Sequence, residues 1–206
     1  MNHIIFDFDG VLARSLEDNT NMNLKFNKFP GMTRTELDQM VIDRFSQPRH
    51  DRSKVISEVE RQEILDFSVD IANMTLACEN TIFQTFIDSI KKLTDCRFAI
   101  VSSGSELYVK KYSSEFGINF DYVLTVEDSL SKEDKVETVC QNWGIEVKEC
   151  NYITDTVSDV LELREIMDKN KILGVAWGWS GLDRLKKVLP ENQILVDQQD
   201  ILKYFN

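Results

Sequence analysis

Along most of the chain, short apolar runs alternate with stretches whose apolar positions recur at helical spacing. The runs Ile4-Ile5-Phe6, "RFAIVSS" from Arg97, "FDYVLT" from Phe120, "NYIT" from Asn151, "KILGVAW" from Lys171 and "QILV" from Gln193 read as buried strands. Helices are predicted between them from about Ser105, Lys132, Thr156 and Gly181, with a last short one near the C-terminal end. Strands and helices alternating at this length build parallel βαβ units covered on both faces, which makes the fold class α/β. Residues 16 to about 80 break the rhythm. Apolar positions such as Phe67, Ile71, Met74 and Cys78 keep helical spacing there, and no period-two alternation appears. The segment is predicted to be an all-helical insertion hinged near residues 14–16 and 80–86, with turns at Pro30-Gly31 and Gln47-Pro48.

Ligands of open parallel sheets bind outside the carboxyl ends of the strands, so the residues at those ends carry the candidate chemistry. The first strand runs into Asp7 and Asp9, which an extended backbone points to one side. Two carboxylates that close repel unless a cation or a proton intervenes; the rival reading is a plain strand followed by an Asp-Gly turn. The second run ends in Ser102 and Ser103, Lys132 opens the helix after the third, and Asp155 ends the fourth with Asp159 four residues on. Ser131 to Asp134 has the form of a capping box, which puts Lys132 in a first helical turn, where the macrodipole disfavours a cation. A residue that breaks a local rule points to function; Lys135 is the alternative. Asp159 has a structural rival of its own, because Thr156 to Asp159 is also a capping box.

Composition narrows the partners. The 206 residues are 42% hydrophobic, enough for a real core, and carry a net charge of -11. That field repels nucleic acid and anionic membranes, so an anionic substrate needs local positive charge. One basic cluster stands out: "QPRHDRSK" gathers Arg49, His50, Arg52 and Lys54 around a single acid. It reads either as a solvated interhelical loop or as a loop that grips a second anionic group, and Arg14 is a further candidate for anion contact. The four cysteines show no CxxC spacing and read as reduced, mostly buried thiols. With a strand starting by His3 there is no room ahead of it for a secretory signal, and no apolar stretch approaches membrane-spanning length. The expected location is the cytoplasm, and no stretch demands a partner chain.

The whole constellation resembles the haloacid dehalogenase superfamily of hydrolases. "DFDGVL" matches that superfamily's first motif, an apolar run ending in a hydroxyl residue its second, a lysine before a helix its third, and the D-x-x-x-D of Asp155 and Asp159 its fourth. The tail "ILGVAWGWSGLDRL" and "ENQILVDQQDIL" looks like the closing region of the phosphoglycolate-phosphatase-like branch; Thr154 stands where that branch usually has glycine. The resemblance implies a Rossmann-like core of residues 1–15 and 83–206 and a helical cap of residues 16–82. It further implies that Asp7 is a nucleophile, Asp9 a general acid and base, Ser102 (or Ser103) a phosphoryl hydrogen-bond donor and Lys132 (or Lys135) a charge-offsetting group. Mg²⁺ would be held by Asp7, the backbone carbonyl of Asp9, Asp155 and, directly or through water, Asp159. Gly10, Ser103, Gly104, Arg14, Arg49 and Arg52 would surround the substrate. The implied activity is Mg²⁺-dependent hydrolysis of a small phosphorylated metabolite. A phosphotransferase or sugar phosphomutase would keep the same core residues; a dehalogenase needs no second aspartate, so Asp9 argues against it. A non-catalytic binding module would be expected to have lost a charged member, and none is missing.

Overall fold

The computed structural model describes residues 1–48, 56–78 and 81–205. Among these, β1 (Asn2–Phe6), β2 (Cys96–Val101), β3 (Tyr122–Leu124), β4 (Cys150–Thr154), β5 (Ile172–Val175) and β6 (Ile194–Leu195) form one sheet. Its order is β3-β2-β1-β4-β5-β6, and every pairing is parallel. The order turns at β1, whose neighbours β2 and β4 lie far along the chain. Phe6 stands opposite Ile100 on one side and Ile153 on the other. The carboxyl ends of β1, β2 and β4 therefore finish side by side, and the residues that follow them are brought together.

Between β1 and β2 come α1 (Ser15–Lys25), α2 (Arg34–Arg44), α3 (Glu58–Leu76) and α4 (Gln84–Ile90). Local signals start two of them. Thr33 with Glu36, and Ser57 with Glu60, make complete capping boxes at the N-termini of α2 and α3. Beyond β2 follow α5 (Glu106–Glu115), α6 (Lys132–Trp143), α7 (Val157–Leu163), α8 (Gly181–Leu185) and α9 (Ile201–Phe205). α6 ends on Gly144, whose φ of 73° is the left-handed value glycine adopts without strain.

The strand pleat sorts the core into two layers. Ile4, Phe6, Ile100 and Ile153 pack with Phe86 and Ile90 of α4 and Val109 of α5. Ile5, Ala99, Val101 and Tyr152 pack on the opposite face with Val136 and Val139 of α6 and Leu163 of α7. Both faces are covered, as the continuous apolar runs require.

The helical segment α1 to α3 rests over the strand ends. Its two connections to the sheet run antiparallel and pair: the Arg14 N–H donates to the Thr81 carbonyl at 2.9 Å and the Phe83 N–H to the Leu12 carbonyl at 3.0 Å. The Thr81 N–H also donates to Asp18 of α1 at 2.9 Å. At the far side, the Ser158 N–H donates to the Phe45 carbonyl at 3.0 Å, and the Phe45 ring meets Trp179 edge-on at 4.5 Å. The apolar stripe read on α3 takes an unexpected direction: Phe67 is 43% exposed, and with Ile71 it lines the cavity under the helices. Helical spacing identified the element, but its apolar face serves a cavity as well as a core. Cys140 and Cys150 are buried, whereas Cys78 and Cys96 are half-buried, and none of the four is in a disulfide.

Candidate active site

Asp7 follows the last residue of β1, and its N–H continues the ladder to the Ile153 carbonyl at 2.8 Å. Phe8 turns into the core, so Asp7 and Asp9 both face the opposite way, into a cavity of about 1020 Å³ between the strand ends and the helical segment. Asp7 Oδ1 accepts the Phe8 N–H at 2.8 Å and forms an ion pair with Lys132 Nζ at 2.8 Å. Burial pushes the Asp7 carboxyl well above the ordinary carboxylate range; the Lys132 ammonium opposes this, and the charges of Asp159 and Asp155 add to it.

Lys132 is the first residue of α6, and its buried ammonium spans two strand ends. Beside Asp7 it reaches Asp159 Oδ2 at 2.8 Å and donates to the Tyr152 hydroxyl at 2.9 Å. The cap of this helix is only half a box: the Ser131 hydroxyl accepts the Asp134 N–H at 3.1 Å, while Asp134 itself accepts from Ser129. Lys135, one turn on, points elsewhere. Its buried ammonium donates to the carbonyls of Ser102 (2.7 Å), Ser129 (2.7 Å) and Thr125 (3.2 Å), tying together the loops after β2 and β3. Lys135→Met should therefore cost about 3 kcal/mol of stability, since it strands buried carbonyls, with kcat changed less than threefold in the folded fraction. Urea melts beside initial rates check it, and an undiminished midpoint would contradict the assignment.

Asp159 is the other half of a broken box. The Thr156 hydroxyl accepts the Asp159 N–H at 3.3 Å, yet the Asp159 carboxylate turns inward to Lys132 and to the Thr154 hydroxyl, 2.9 Å away. Asp159 Oδ2 is thereby engaged with the lysine and with Thr154, a contact that leaves untouched its expected part in holding a metal directly or through water. Asp155, at the end of β4, is packed between two glycines. A Cβ on Gly10, whose φ is 74°, would fall 1.9 Å from Asp155 Oδ2, and one on Gly178 would fall 2.2 Å from its Cβ. The Trp179 N–H donates to Oδ2 at 2.6 Å, whereas Oδ1 is buried with no hydrogen-bond partner. Burial raises the Asp155 carboxyl to about 7, against the pull of the Trp179 N–H and with the push of Asp159.

Ser102 and Ser103 separate. Ser102 is fully buried with its hydroxyl accepting the Gly104 N–H at 2.9 Å; Ser103 and Gly104 form part of the cavity wall. A Cβ on Gly104 would lie 3.2 Å from Ser102 Oγ and 3.3 Å from Asp9 Oδ2, so hydroxyl and acid both approach the space that this glycine leaves open. Arg14 is exposed with its guanidinium 5.6 Å over the Phe83 ring and does not line the cavity. Arg49, His50, Arg52 and Lys54 lie outside the described residues. Sequence reasoning missed Trp179 and Gly178, which hold Asp155; their only sequence signal is a Gly-Trp-Ser-Gly stretch just past an apolar run. It also missed Tyr108, which lines the cavity and whose phenol is pushed far up by burial and then by the charge of Asp9.

The donor set suits a small hard cation. No group of three His, Cys, Asp or Glu that could hold a metal unaided occurs among the described residues. Mg²⁺ does not need one: it prefers one or two carboxylates plus waters and phosphate. Asp7 and Asp155 supply two, the lone Oδ1 of Asp155 lacks any other partner, and the buried acids outnumber the lysine among them.

A family model described as haloacid dehalogenase-like hydrolase matches residues 4–165. No curated protein matches the chain. Among solved structures, a haloacid dehalogenase-like family hydrolase from Streptococcus pneumoniae superposes with a TM-score of 0.73 at 20% identity, over 100% of this chain and 99% of that one. A provisionally named phosphoglycolate phosphatase from Lactobacillus delbrueckii subsp. bulgaricus gives 0.72 at 19% identity, over 99% and 98%. Another from Haemophilus somnus gives 0.68 at 18%, over 100% and 98%. At these identities the likeness to the structures is one of fold. Among the described residues no helix is long and apolar enough to cross a membrane.

Proposed function

The chain belongs to the haloacid dehalogenase-like hydrolases, and from that premise we propose that it is a Mg²⁺-dependent phosphatase acting on a small phosphomonoester through an aspartyl-phosphate on Asp7. The observation that carries this reading is the buried Asp7–Lys132–Asp159 array facing a cavity that Asp9 also lines. Residues 16–82 would act as a cap over a core of residues 1–15 and 83–206, and the cavity between them would take the organic part of the substrate.

In this reading an Asp7 oxygen attacks phosphorus, and the bond to the leaving oxygen breaks as Asp9 gives it a proton. Asp9 then takes a proton from water as that water attacks the acyl phosphate, which releases inorganic phosphate and restores Asp7. Lys132 offsets the negative charge around the transferring group, and Ser102, whose oxygen already accepts the Gly104 N–H, donates a hydrogen bond to a phosphoryl oxygen. Asp7, Asp155, the Asp9 carbonyl and, directly or through water, Asp159 would hold Mg²⁺, which would supply further charge stabilisation. The cap would choose the substrate and shield the site from bulk water, leaving the one water that the second step consumes. Ser102→Ala should lower kcat by about 30-fold and Ser103→Ala by less than about threefold, since the loss of one aligned donor to a phosphoryl oxygen weighs on the transition state; the reverse order would reassign the hydroxyl.

Hydrolysis of p-nitrophenyl phosphate with Mg²⁺, and with EDTA in its place, tests the reading. Activity that Mg²⁺ supports and EDTA removes is expected. Equal rates in both conditions would exclude the metal-dependent route.

A further inference from the structure

The environment of Lys132 contains two hydroxyls that the proposed chemistry does not use. Tyr152 sits in the middle of β4, fully buried. Its hydroxyl accepts from Lys132 Nζ at 2.9 Å and donates to the Val101 carbonyl at 3.2 Å. Thr154, the last residue of the same strand, donates its hydroxyl proton to Asp159 Oδ2 at 2.9 Å and accepts the Thr156 N–H at 3.2 Å. Each hydroxyl is thus fixed at its far end by backbone: Tyr152 by the end of β2, Thr154 by the residue that caps α7.

An ammonium has three protons, and Asp7 Oδ1, Asp159 Oδ2 and Tyr152 Oη stand 2.8, 2.8 and 2.9 Å from Nζ, with the Val101 carbonyl further off at 3.4 Å. The Lys132 stem is long and carries several rotatable bonds, so the position of its charge depends on those acceptors rather than on its own backbone. Asp159 Oδ2 is held in turn by Thr154. A glycine at position 154, as the resemblance leads one to expect, would leave that oxygen without this donor.

We infer that Thr154 and Tyr152 are positioning residues that together fix the Lys132 ammonium against Asp7. The inference rests on the reading of Asp7 and Lys132 given above. Neither residue touches the reacting atoms; they set the alignment of a charge, and misplacement of a charge-stabilising group lowers turnover more than binding.

Thr154→Val, Thr154→Ser and Tyr152→Phe, assayed on p-nitrophenyl phosphate at saturating Mg²⁺ beside Asp7→Asn and solved as crystal structures, test it. In Thr154→Val and Tyr152→Phe, kcat should fall about tenfold with KM within about twofold, and Lys132 Nζ should leave its place beside Asp7 Oδ1. Thr154→Ser, which keeps the hydroxyl, should recover most of the wild-type kcat. Should Thr154→Val fail to fold, Tyr152→Phe and Thr154→Ser decide the matter. Wild-type kcat in both hydroxyl-less variants, an unmoved lysine, or a serine no better than valine would overturn the positioning role. An Asp7→Asn enzyme as active as the wild type would instead overturn the reading beneath it.

Discussion

Asp7→Asn is expected to remove hydrolysis of p-nitrophenyl phosphate to below about one part in 10⁴ of the wild-type rate while leaving the protein folded. The magnitude follows from the role: with no carboxylate oxygen to attack phosphorus the covalent route is closed, and losses of a nucleophile run to several powers of ten. Stability should survive because the asparagine oxygen can keep what Asp7 Oδ1 accepts now, the Phe8 N–H and the Lys132 ammonium, each at 2.8 Å. Asp159 remains to balance the buried Lys132 charge, so a neutral side chain of the same shape at position 7 leaves no uncompensated charge and costs the fold little. Rates, a circular-dichroism melt and a covalent test are needed together. Wild-type enzyme quenched in acid during turnover of labelled substrate should carry a phosphoryl group that hydroxylamine removes, and the variant should carry none. A variant that retains more than about 1% of the rate, well above what binding and electrostatics leave once a nucleophile is gone, or that still becomes labelled, would move the nucleophile elsewhere.

How much of this was legible in the sequence differs by kind of contact. The sheet was, because the buried strands carry continuous apolar runs and the helices after them open on cap residues: Ser131 and Thr156 both accept the N–H three residues on. The acids were legible too, because Asp7 and Asp155 directly follow strand ends and Asp159 stands in the first turn of the helix after one of them, where topology must bring them together. Lys132 announced itself by standing in the wrong place for a cation, and the structure buries it against two carboxylates. The same local pattern misleads over detail. Both boxes are only half formed, and what diverts Asp159 from its box is a lysine 27 positions away. Contacts of that kind leave no mark in spacing. The backbone N–H of Trp179 on Asp155, the hydroxyls of Tyr152 and Thr154, and the two glycines enclosing a carboxylate depend on which strand ends are neighbours. Backbone donors are also the same for every residue type except proline. Likewise the stripe of α3 could not reveal from spacing that its apolar face borders a cavity.

The second large effect concerns Asp155, for which stability and function should part. Its carboxyl sits between Gly10 and Gly178 with Oδ2 on the Trp179 N–H and Oδ1 buried without a hydrogen-bond partner. Left alone, an ionised group there is costly, which is why burial lifts its carboxyl to about 7. A divalent cation on that oxygen reverses the cost. For the wild type, Mg²⁺ at about 100 times its dissociation constant should add about 2.7 kcal/mol, a rise in melting temperature of about 5 to 10 °C for a chain of this size. Asp155→Asn should abolish that rise and lower kcat/KM by about 10³-fold or more, while its metal-free melting temperature stays level with or above that of the wild type, since the substitution removes a buried charge and keeps the Trp179 acceptor. Gly10→Ala is the steric counterpart: its methyl would lie 1.9 Å from Asp155 Oδ2, so the carboxylate must leave its place even though its chemistry is intact. The Mg²⁺-induced shift should vanish in that variant as well. Differential scanning calorimetry with and without Mg²⁺ decides both. A full Mg²⁺ shift in Asp155→Asn would take the metal away from Asp155, and a full shift in Gly10→Ala would show that the close packing of glycine and acid is not what aims it.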